Sequence, residues 1–319
     1  MIENPGLYYR TVKHLKPIQI RYRLWYMLRN KLRKLTYHNY PSFIPKEGQN
    51  LKWIESVKSP SSSFQPPATF TFINQSHTFE RAINWNFSKF GKLWAYNLNY
   101  FDYLHQENIT KYQGIELIKE FINCFEDNRE GLEPYPISLR GINWIKFLSK
   151  HDINDQAIDA SLYAQYQILM DNLEYHLLGN HLLENGCSLL FGSYYFQDVE
   201  LYRKAKEVLN NELEEQVLDD GAHFERSTMY QCILLERLMD CYNVVVNNEC
   251  EWNDELLKNK LQGTISKMLG WLEQMTISSE QDMQLPLLND AARGIAPEPL
   301  KLYEYADRLG LQTHQIELG

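Results

Sequence analysis

Polar and titratable side chains interrupt an otherwise apolar stretch of the chain at residues 174–185. Gly179 is expected to end one helix, and Asn180 to cap the next. His181 and Glu184 are three apart, so they are expected to share one face of that next helix. Burying such groups is unfavourable unless they bond one another or a ligand. Capping explains Asn180 but not His181, and the spacing is not that of a zinc site.

A second segment, residues 220–230, combines an imidazole, a carboxylate, a guanidinium and a phenol: His223, Glu225, Arg226 and Tyr230. Ser227 is expected to cap the helix that follows, which places Tyr230 in its first turn. Arg226 and the positive end of this helix are expected to lower the pKa of the phenol. A single tyrosine most often belongs to a core. Its charged neighbours favour a role in proton transfer here.

A third polar group lies in residues 133–144. On a helix, Arg140 and Asn143 lie one turn apart, with Trp144 beside them. Such a set could bind a carboxylate and a sugar ring together. The alternative is structural, with Arg140 paired to a buried glutamate and Trp144 in the core. Residues 287–294 form a fourth segment, which either lines the same cleft or is a structural turn.

The composition is that of an acidic globular protein. The chain has 319 residues, of which 44% are hydrophobic and 23% charged, and its net charge is -9. A dedicated nucleic-acid binder is not expected, because no overall basic field attracts phosphate. An acidic ligand would have to meet a local cluster of cations. Aromatic residues, at 13% of the chain, suit both a core and a site that stacks on sugars.

Several features of the sequence favour a cytoplasmic location. The five cysteines form no CxxC pair, so neither disulfides nor a zinc site is predicted, and a reduced compartment fits best. Cys187, Cys232 and Cys241 lie in apolar helical patterns and are expected to be buried. No signal peptide and no transmembrane run are recognised. The basic, aromatic segment of residues 8–34 either lies on an anionic membrane surface or packs on the main domain with a solvated basic face.

The chain is predicted to divide into residues 1–85, a basic helix and an irregular Pro- and Ser-rich linker, and residues 86–319, an all-α domain. A short strand is expected at residues 69–73. From about residue 112 the hydrophobic period is helical. The later predicted helices are residues 153–176, 180–196, 201–218, 227–246, 254–275 and 299–309. Residues 180–196 are apolar nearly all round and are expected to form a buried central helix. Such helices form hairpins, and enough hairpins curl into an (α/α) toroid with a cleft at one end, although the sequence does not itself establish a closed ring.

Several motifs resemble, in order, the helical domain of heparinase II/III-like polysaccharide lyases, to which alginate and oligoalginate lyases are related. They are WAYNLNYFDYL, EPYPISLRGINWIKFL, LEYHLLGNHLLEN, DDGAHFERSTMYQ and LPLLNDAARGIAP. The resemblance covers roughly residues 90–300. It implies an N-terminal (α/α) toroid followed by a β-sandwich, and β-elimination of a glycosidic bond next to a uronic acid.

The resemblance also implies roles for individual residues. Asn180 and His181 match the pair that holds the C5 carboxylate, Glu184 matches an orienting or substrate-contacting group, and Tyr230 matches the catalytic tyrosine. The remaining expected substrate contacts are Arg140, Asn143, Trp144, His223, Glu225 and Arg226. No metal site and no cofactor are expected in this chain, and the expected partner is an acidic, uronate-containing polysaccharide.

One departure from the family pattern affects the expected activity. The sequence ends at Gly319 without a run of short strands, so the predicted fold is an incomplete toroid that lacks the β-sandwich. That domain carries the partner histidine of the family and the metal site of some members, and it is expected as a further domain or a separate chain. The alternative function is a catalytically incomplete glycan-binding subunit or fragment in capsule or exopolysaccharide assembly. A helical interaction scaffold is a third hypothesis.

Overall fold

The chain folds into a mainly helical body. The computed structural model describes residues 13–55, 62–252, 254–279 and 282–312. Within these ranges helices dominate and strands are few and short, which confirms the predicted all-α fold. The helices are α1 Pro17–Leu35, α2 Lys92–Tyr100, α3 Lys111–Asn123, α4 Pro134–Lys150, α5 Gln156–Asp171, α6 Gly179–Phe196, α7 Val199–Gln216, α8 Thr228–Asn247, α9 Glu255–Met275 and α10 Pro299–Arg308.

The largest difference from the predicted helix boundaries concerns α5. The hydrophobic pattern predicted one helix over residues 153–176, but α5 follows Asp155 and ends at Asp171. It begins there because the Asp155 side chain accepts hydrogen bonds from two N–H groups of the first turn, at 3.0 and 3.2 Å. Residues 172–178 are therefore a loop, and this loop leads into the predicted site.

The connections between successive helices alternate between two ends of the body, as expected for helical hairpins. At one end the loops include residues 151–155, 197–198 and 248–252, together with Asp254. There the hydroxyl of Tyr202, in the first turn of α7, donates to Asp254 at 2.7 Å. The opposite end gathers residues 124–133, 172–178, 217–227 and 285–298. The four segments that the sequence singles out therefore lie at or next to one end of the body.

Helix α6 is the centre of the core. All residues from 182 to 196 are buried, and the helix packs against α4, α5, α7 and α8, which confirms the prediction of a buried central helix. Gly186 lets α7 come close, since a Cβ at that position would lie 2.7 Å from the Cγ1 of Val208. Gly192 does the same for the Tyr166 ring of α5. A side chain at either glycine would push neighbouring helices apart.

A small antiparallel sheet adds aromatic side chains to this core. Its strands are β1 Phe64–Gln65, β2 Thr69–Phe72 and β3 Gln75–Thr78, with β2 in the middle, and a second hairpin pairs β4 Ile277–Ser279 with β5 Asp282–Gln284. The strand predicted at residues 69–73 is confirmed as β2. The ring centroid of Phe72 lies 5.2 Å from that of Trp94 on α2. The Ser59 to Ser61 part of the predicted linker lies outside the described residues, and the division at residue 85 stays a prediction.

Arg140 is a structural residue of α4. Its side chain is fully buried, and Nε donates to Oε1 of Gln165 at 2.6 Å. The two terminal nitrogens donate to the backbone carbonyls of Asn99 and Gly131 at 3.1 and 2.8 Å. The predicted substrate contact at Arg140 is wrong, because the guanidinium does not reach the surface. The alternative of a glutamate partner is also wrong, since the partners are an amide and two carbonyls.

The other two members of this group are structural as well. Trp144 is fully buried and packs edge to face against two phenylalanine rings, so its predicted sugar contact is wrong. Asn143 is 5% exposed, and its amide donates to the backbone carbonyl of Tyr100 at 2.9 Å and to the carboxylate of Asp102. Its predicted substrate contact is contradicted, because these bonds occupy the amide inside the body.

The bonds of Arg140 predict a large effect of its removal on stability. Arg140→Ala should lower the free energy of unfolding by about 3–5 kcal/mol, because two buried carbonyls lose their donor and a cavity opens. Denaturant unfolding followed by circular dichroism measures this loss. The control is Arg203→Ala, which removes an exposed ion pair with Glu200 and should cost under about 1 kcal/mol. A loss at Arg140 no larger than that of the control would contradict the structural role.

Candidate functional site

The loop of residues 285–298 holds the segment that leads into α8. The side-chain amide of Asn289 donates to the backbone carbonyls of Glu225 and Arg226 at 3.1 and 3.0 Å. The hydroxyl of Ser227 donates to the carbonyl of Asp290 at 2.7 Å. Residues 287–294 therefore pack directly against residues 225–227, a contact that fits both interpretations of this segment.

Tyr230 lies in the first turn of α8, as predicted. Ser227 is the N-cap of this helix, and its hydroxyl accepts the N–H of Tyr230 at 3.3 Å. The tyrosine side chain is half-buried. Its position is thus set by a helix cap whose own hydroxyl is tied to Asp290.

The electrostatic environment of Tyr230 differs from the expectation. Burial, together with the negative charges of Asp290 and Glu225, raises the pKa of the phenol above its ordinary value of 10. The prediction that Arg226 would lower this pKa is wrong, because two carboxylates act on the phenol and the Arg226 side chain is exposed to solvent. The phenol of Tyr230 is therefore protonated at neutral pH.

His181 is oriented by a buried carboxylate that the sequence did not single out. Its Nδ1 lies 3.1 Å from Oε1 of Glu174, while the other carboxylate oxygen accepts from the amide of Asn185 at 3.0 Å. Glu174 is itself 5% exposed, and its backbone N–H donates to the same Asn185 at 2.9 Å. A carboxylate at Nδ1 places a proton on that nitrogen and leaves Nε2 for a ligand. The three-residue spacing of the predicted site could not reveal a partner in the preceding loop.

The backbone is strained where this loop enters α6. Leu178 has φ of 63° and ψ of -163°, a region that glycine alone adopts readily, and Gly179 follows with φ of 60°. The predicted helix end at Gly179 is wrong, since α6 begins at that residue. Asn180 is accordingly not the cap but a first-turn residue, and its amide donates to Oε1 of Glu225 at 3.4 Å. This bond joins the 172–181 segment to the segment that carries Tyr230.

Glu184 belongs to a charged network below the first turn of α6. It is 8% exposed, and its Oε1 forms an ion pair with Nε of Arg237 at 2.7 Å, without the angles of a hydrogen bond. Arg237 also lies 3.3 Å from Asp240, which pairs with Lys146. Burial raises the pKa of Glu184, and the charge of Arg237 opposes that shift. An orienting role for Glu184 fits this position, and Arg237 is the group that the sequence did not indicate.

The remaining predicted contacts separate into buried and exposed residues. His223 is 1% exposed, and burial lowers its pKa to about 4, so its predicted role as a direct substrate contact is contradicted. The ring centroids of His223 and Tyr230 lie 6.4 Å apart, so His223 packs near the phenol from inside the body. Glu225 and Arg226 are exposed and remain predicted contacts.

The arrangement can bind an anionic, hydroxyl-rich ligand and transfer a proton to it. An imidazole with one nitrogen fixed, an amide and a protonated phenol come from two segments joined through Glu225. The ring of Tyr135 lies 4.5 Å from His181 and adds an aromatic surface. Within the described ranges, no group of three or more His, Cys, Asp or Glu side chains is placed to hold a metal ion.

Comparison with solved structures gives a likeness of fold. A mutant of the heparan sulfate lyase HepC from Pedobacter heparinus superposes with a TM-score of 0.50 at 15% sequence identity, and the match covers 66% of this chain and 37% of that chain. The HepC structure without the mutation gives a TM-score of 0.43 with the same identity and coverage. This chain thus matches little more than a third of the length of those lyases. No curated protein sequence matches it.

Sequence comparison identifies the family. The family described as Heparinase II/III N-terminus matches residues 140–306, just over half of the chain. The matched region includes α6 with Asn180 and His181, and α8 with Tyr230. The predicted resemblance is therefore confirmed. The chain belongs to the heparinase II/III family and carries the helical fold of its N-terminal domain.

Proposed function

We propose that this chain binds a uronate-containing polysaccharide and takes part in its cleavage by β-elimination. The observation that carries the proposal is the joining of two segments at one end of the body. One presents His181, oriented by Glu174, and the other presents the protonated phenol of Tyr230. Family membership and the heparan sulfate named for the HepC lyase support an acidic polysaccharide as the ligand.

β-Elimination requires three events at a uronate. The C5 carboxylate is neutralised, a base removes the C5 proton, and the C4–O4 bond breaks as O4 takes up a proton. In the proposed arrangement the amide of Asn180 and the Nε2 side of the His181 imidazole each donate an N–H to the carboxylate. Donors fixed before the reaction stabilise the developing negative charge without reorganising.

Tyr230 is assigned to protonation of the departing O4. Its raised pKa keeps the phenol protonated at neutral pH, as an acid catalyst must be. The C5 proton then passes to a separate base. The resemblance to the family implies a partner histidine in a β domain, and we propose that such a histidine would accept this proton.

The second candidate function is glycan binding without turnover, as a subunit or fragment in exopolysaccharide assembly. The assignment of Tyr230 as an acid is compatible with it, because removal of the C5 proton then needs a base other than the residues named above. Under this proposal the chain retains affinity for uronate oligosaccharides but forms no unsaturated product unless a second domain or chain is added.

Tyr230→Phe tests the assignment of the proton donor. The variant should form unsaturated product about 10²–10⁴-fold more slowly, because O4 loses its acid catalyst. The measurement is ultraviolet absorbance of the C4–C5 double bond on heparan sulfate, alginate, glucuronan and hyaluronan. Tyr112→Phe, at an exposed tyrosine of α3, is the matched control and should leave the rate unchanged. Full activity of Tyr230→Phe would contradict the assignment. If the parent protein and Tyr230→Phe both bind the polysaccharide but neither forms product, the second candidate function is supported.

The pH dependence of kcat/KM distinguishes an acid from a base at Tyr230. An acid catalyst must be protonated, so kcat/KM should fall as Tyr230 ionises. This fall should begin only above about pH 10, because the pKa of Tyr230 is raised above its ordinary value. Tyr230→Phe should lack that fall in its residual activity. A limb that rises with pH and disappears in the variant would instead mean that Tyr230 acts as the base.

Glu174→Gln tests the orientation of His181. The variant should lower kcat/KM about 10–100-fold, the usual effect of losing the hydrogen bond that orients an imidazole. Nitrogen NMR of the His181 ring should show loss of the fixed proton at Nδ1, which a merely structural role would not predict. The control is Glu200→Gln, an exposed residue of α7. Unchanged ring signals in Glu174→Gln would mean that Glu174 does not set the tautomer.

A further inference from the structure

Helix α1 is attached to the body by its polar side. The sequence predicted a basic segment over residues 8–34; the helix begins at Pro17, and residues 8–12 lie outside the described part of the chain. Arg29 is buried, and its guanidinium donates to the side chain of Asn172 and the carbonyl of Asp171. Gln19 donates to a backbone carbonyl of the 172–178 loop at 2.9 Å. Tyr22 also faces the body and stacks on Tyr175 with ring centroids 4.5 Å apart. Arginine, amide and tyrosine side chains, rather than aliphatic ones, therefore make the contacts named here.

The rest of α1 exposes large apolar side chains. Each is between 39% and 76% exposed: Ile18, Leu24, Trp25, Met27, Leu28, Leu32 and Leu35. Leu24, Leu28 and Leu32 repeat at intervals of four, so they form one stripe along the helix. An amphipathic helix on a soluble protein normally turns such a stripe inwards. Here the stripe points to solvent, and contiguous exposed apolar surface of this kind marks an interaction site.

The charges around the stripe all have one sign. The helix Pro17–Leu35 contains no Asp or Glu, although the whole chain has a net charge of -9. Its cations are Arg21, Arg23, Arg29, Lys31, Arg33 and Lys34. Arg29 and Arg33 pair with Asp171 on the body. Arg21, Lys31 and Lys34 are exposed and form no ion pair with any residue of the described ranges.

We propose that the outer face of α1 docks on an anionic lipid surface. The apolar stripe would enter the boundary between headgroups and acyl chains while Arg21, Lys31 and Lys34 meet lipid phosphates. Trp25 beside leucines and cations is the composition expected of such an interfacial helix. A protein partner that covered the stripe would have to supply carboxylates for the same cations, whereas an anionic bilayer supplies negative charge over its whole surface.

The helix would lie on the membrane rather than cross it. None of the helices in the described ranges is long and apolar enough to span a bilayer. At 1.5 Å per residue, α1 would extend along the surface for about 28 Å. Because its inner side holds the 172–178 loop, docking would place the loop that precedes His181 close to the headgroups.

Vesicle sedimentation of the full chain tests this proposal. The protein should bind vesicles of phosphatidylcholine mixed with phosphatidylglycerol, bind pure phosphatidylcholine at least tenfold more weakly, and dissociate as salt is added. Leu28→Glu, and separately the pair Arg21→Glu and Lys31→Glu, should each weaken binding about tenfold or more. Leu256→Glu, at an exposed leucine on α9, is the matched control and should bind like the parent protein.

Two further measurements identify the occupant of the stripe. Brominated lipids should quench the fluorescence of the parent protein and quench Trp25→Phe much less. Circular dichroism should be the same for all variants, since the substituted residues are exposed. Failure to bind mixed vesicles, or equal binding by Leu28→Glu and the parent, would overturn the proposal. The remaining outcome is a parent protein that binds no vesicles and self-associates in sedimentation velocity, with Leu28→Glu abolishing the self-association. That result would overturn the proposal and show that a second copy of this chain covers the stripe.

Discussion

The packing of helix α6 against four neighbouring helices is the constraint on which the rest of the structure depends. Residues 182–196 are buried throughout, and Gly186 and Gly192 bring α7 and α5 close to the helix axis. Because α6 is fixed in this way, the loops that join the surrounding helices lie at one end of the body or the other. The first turn of α6 is the only part of that helix to reach a surface, and there it meets the loops that carry the other candidate residues.

Some polar groups inside the body stabilise the fold, and others orient residues of the candidate site. Arg140 and Asn143 bond carbonyls and side chains within the core and hold α4 to the α2 region. Glu174 is equally buried, but it bonds a histidine that is half-buried at the end of α6. A buried, hydrogen-bonded charge thus fixes the fold at Arg140 and orients a candidate site residue at Glu174.

The sequence predicted the periodic parts of the structure well. The buried helix α6, the cap at Ser227 and the burial of Cys187, Cys232 and Cys241 follow from local patterns that need no partner. The errors at Arg140 and Tyr230 concern groups whose role depends on distant residues. Arg140 looked like a ligand contact because an isolated sequence does not reveal the carbonyls that surround it. The pKa of Tyr230 was misjudged for the same reason, since Asp290 approaches it from a loop sixty residues away.

The central claim is that His181, oriented by Glu174, meets the carboxylate of a uronate. Its most direct test is to follow the ring nitrogens of His181 by NMR while a uronate oligosaccharide is added. The account predicts a saturable change at Nε2 while Nδ1 keeps its proton, and a much weaker response to the same oligosaccharide with its carboxyl groups reduced to alcohols. Equal responses to the two ligands, or none to either, would contradict it.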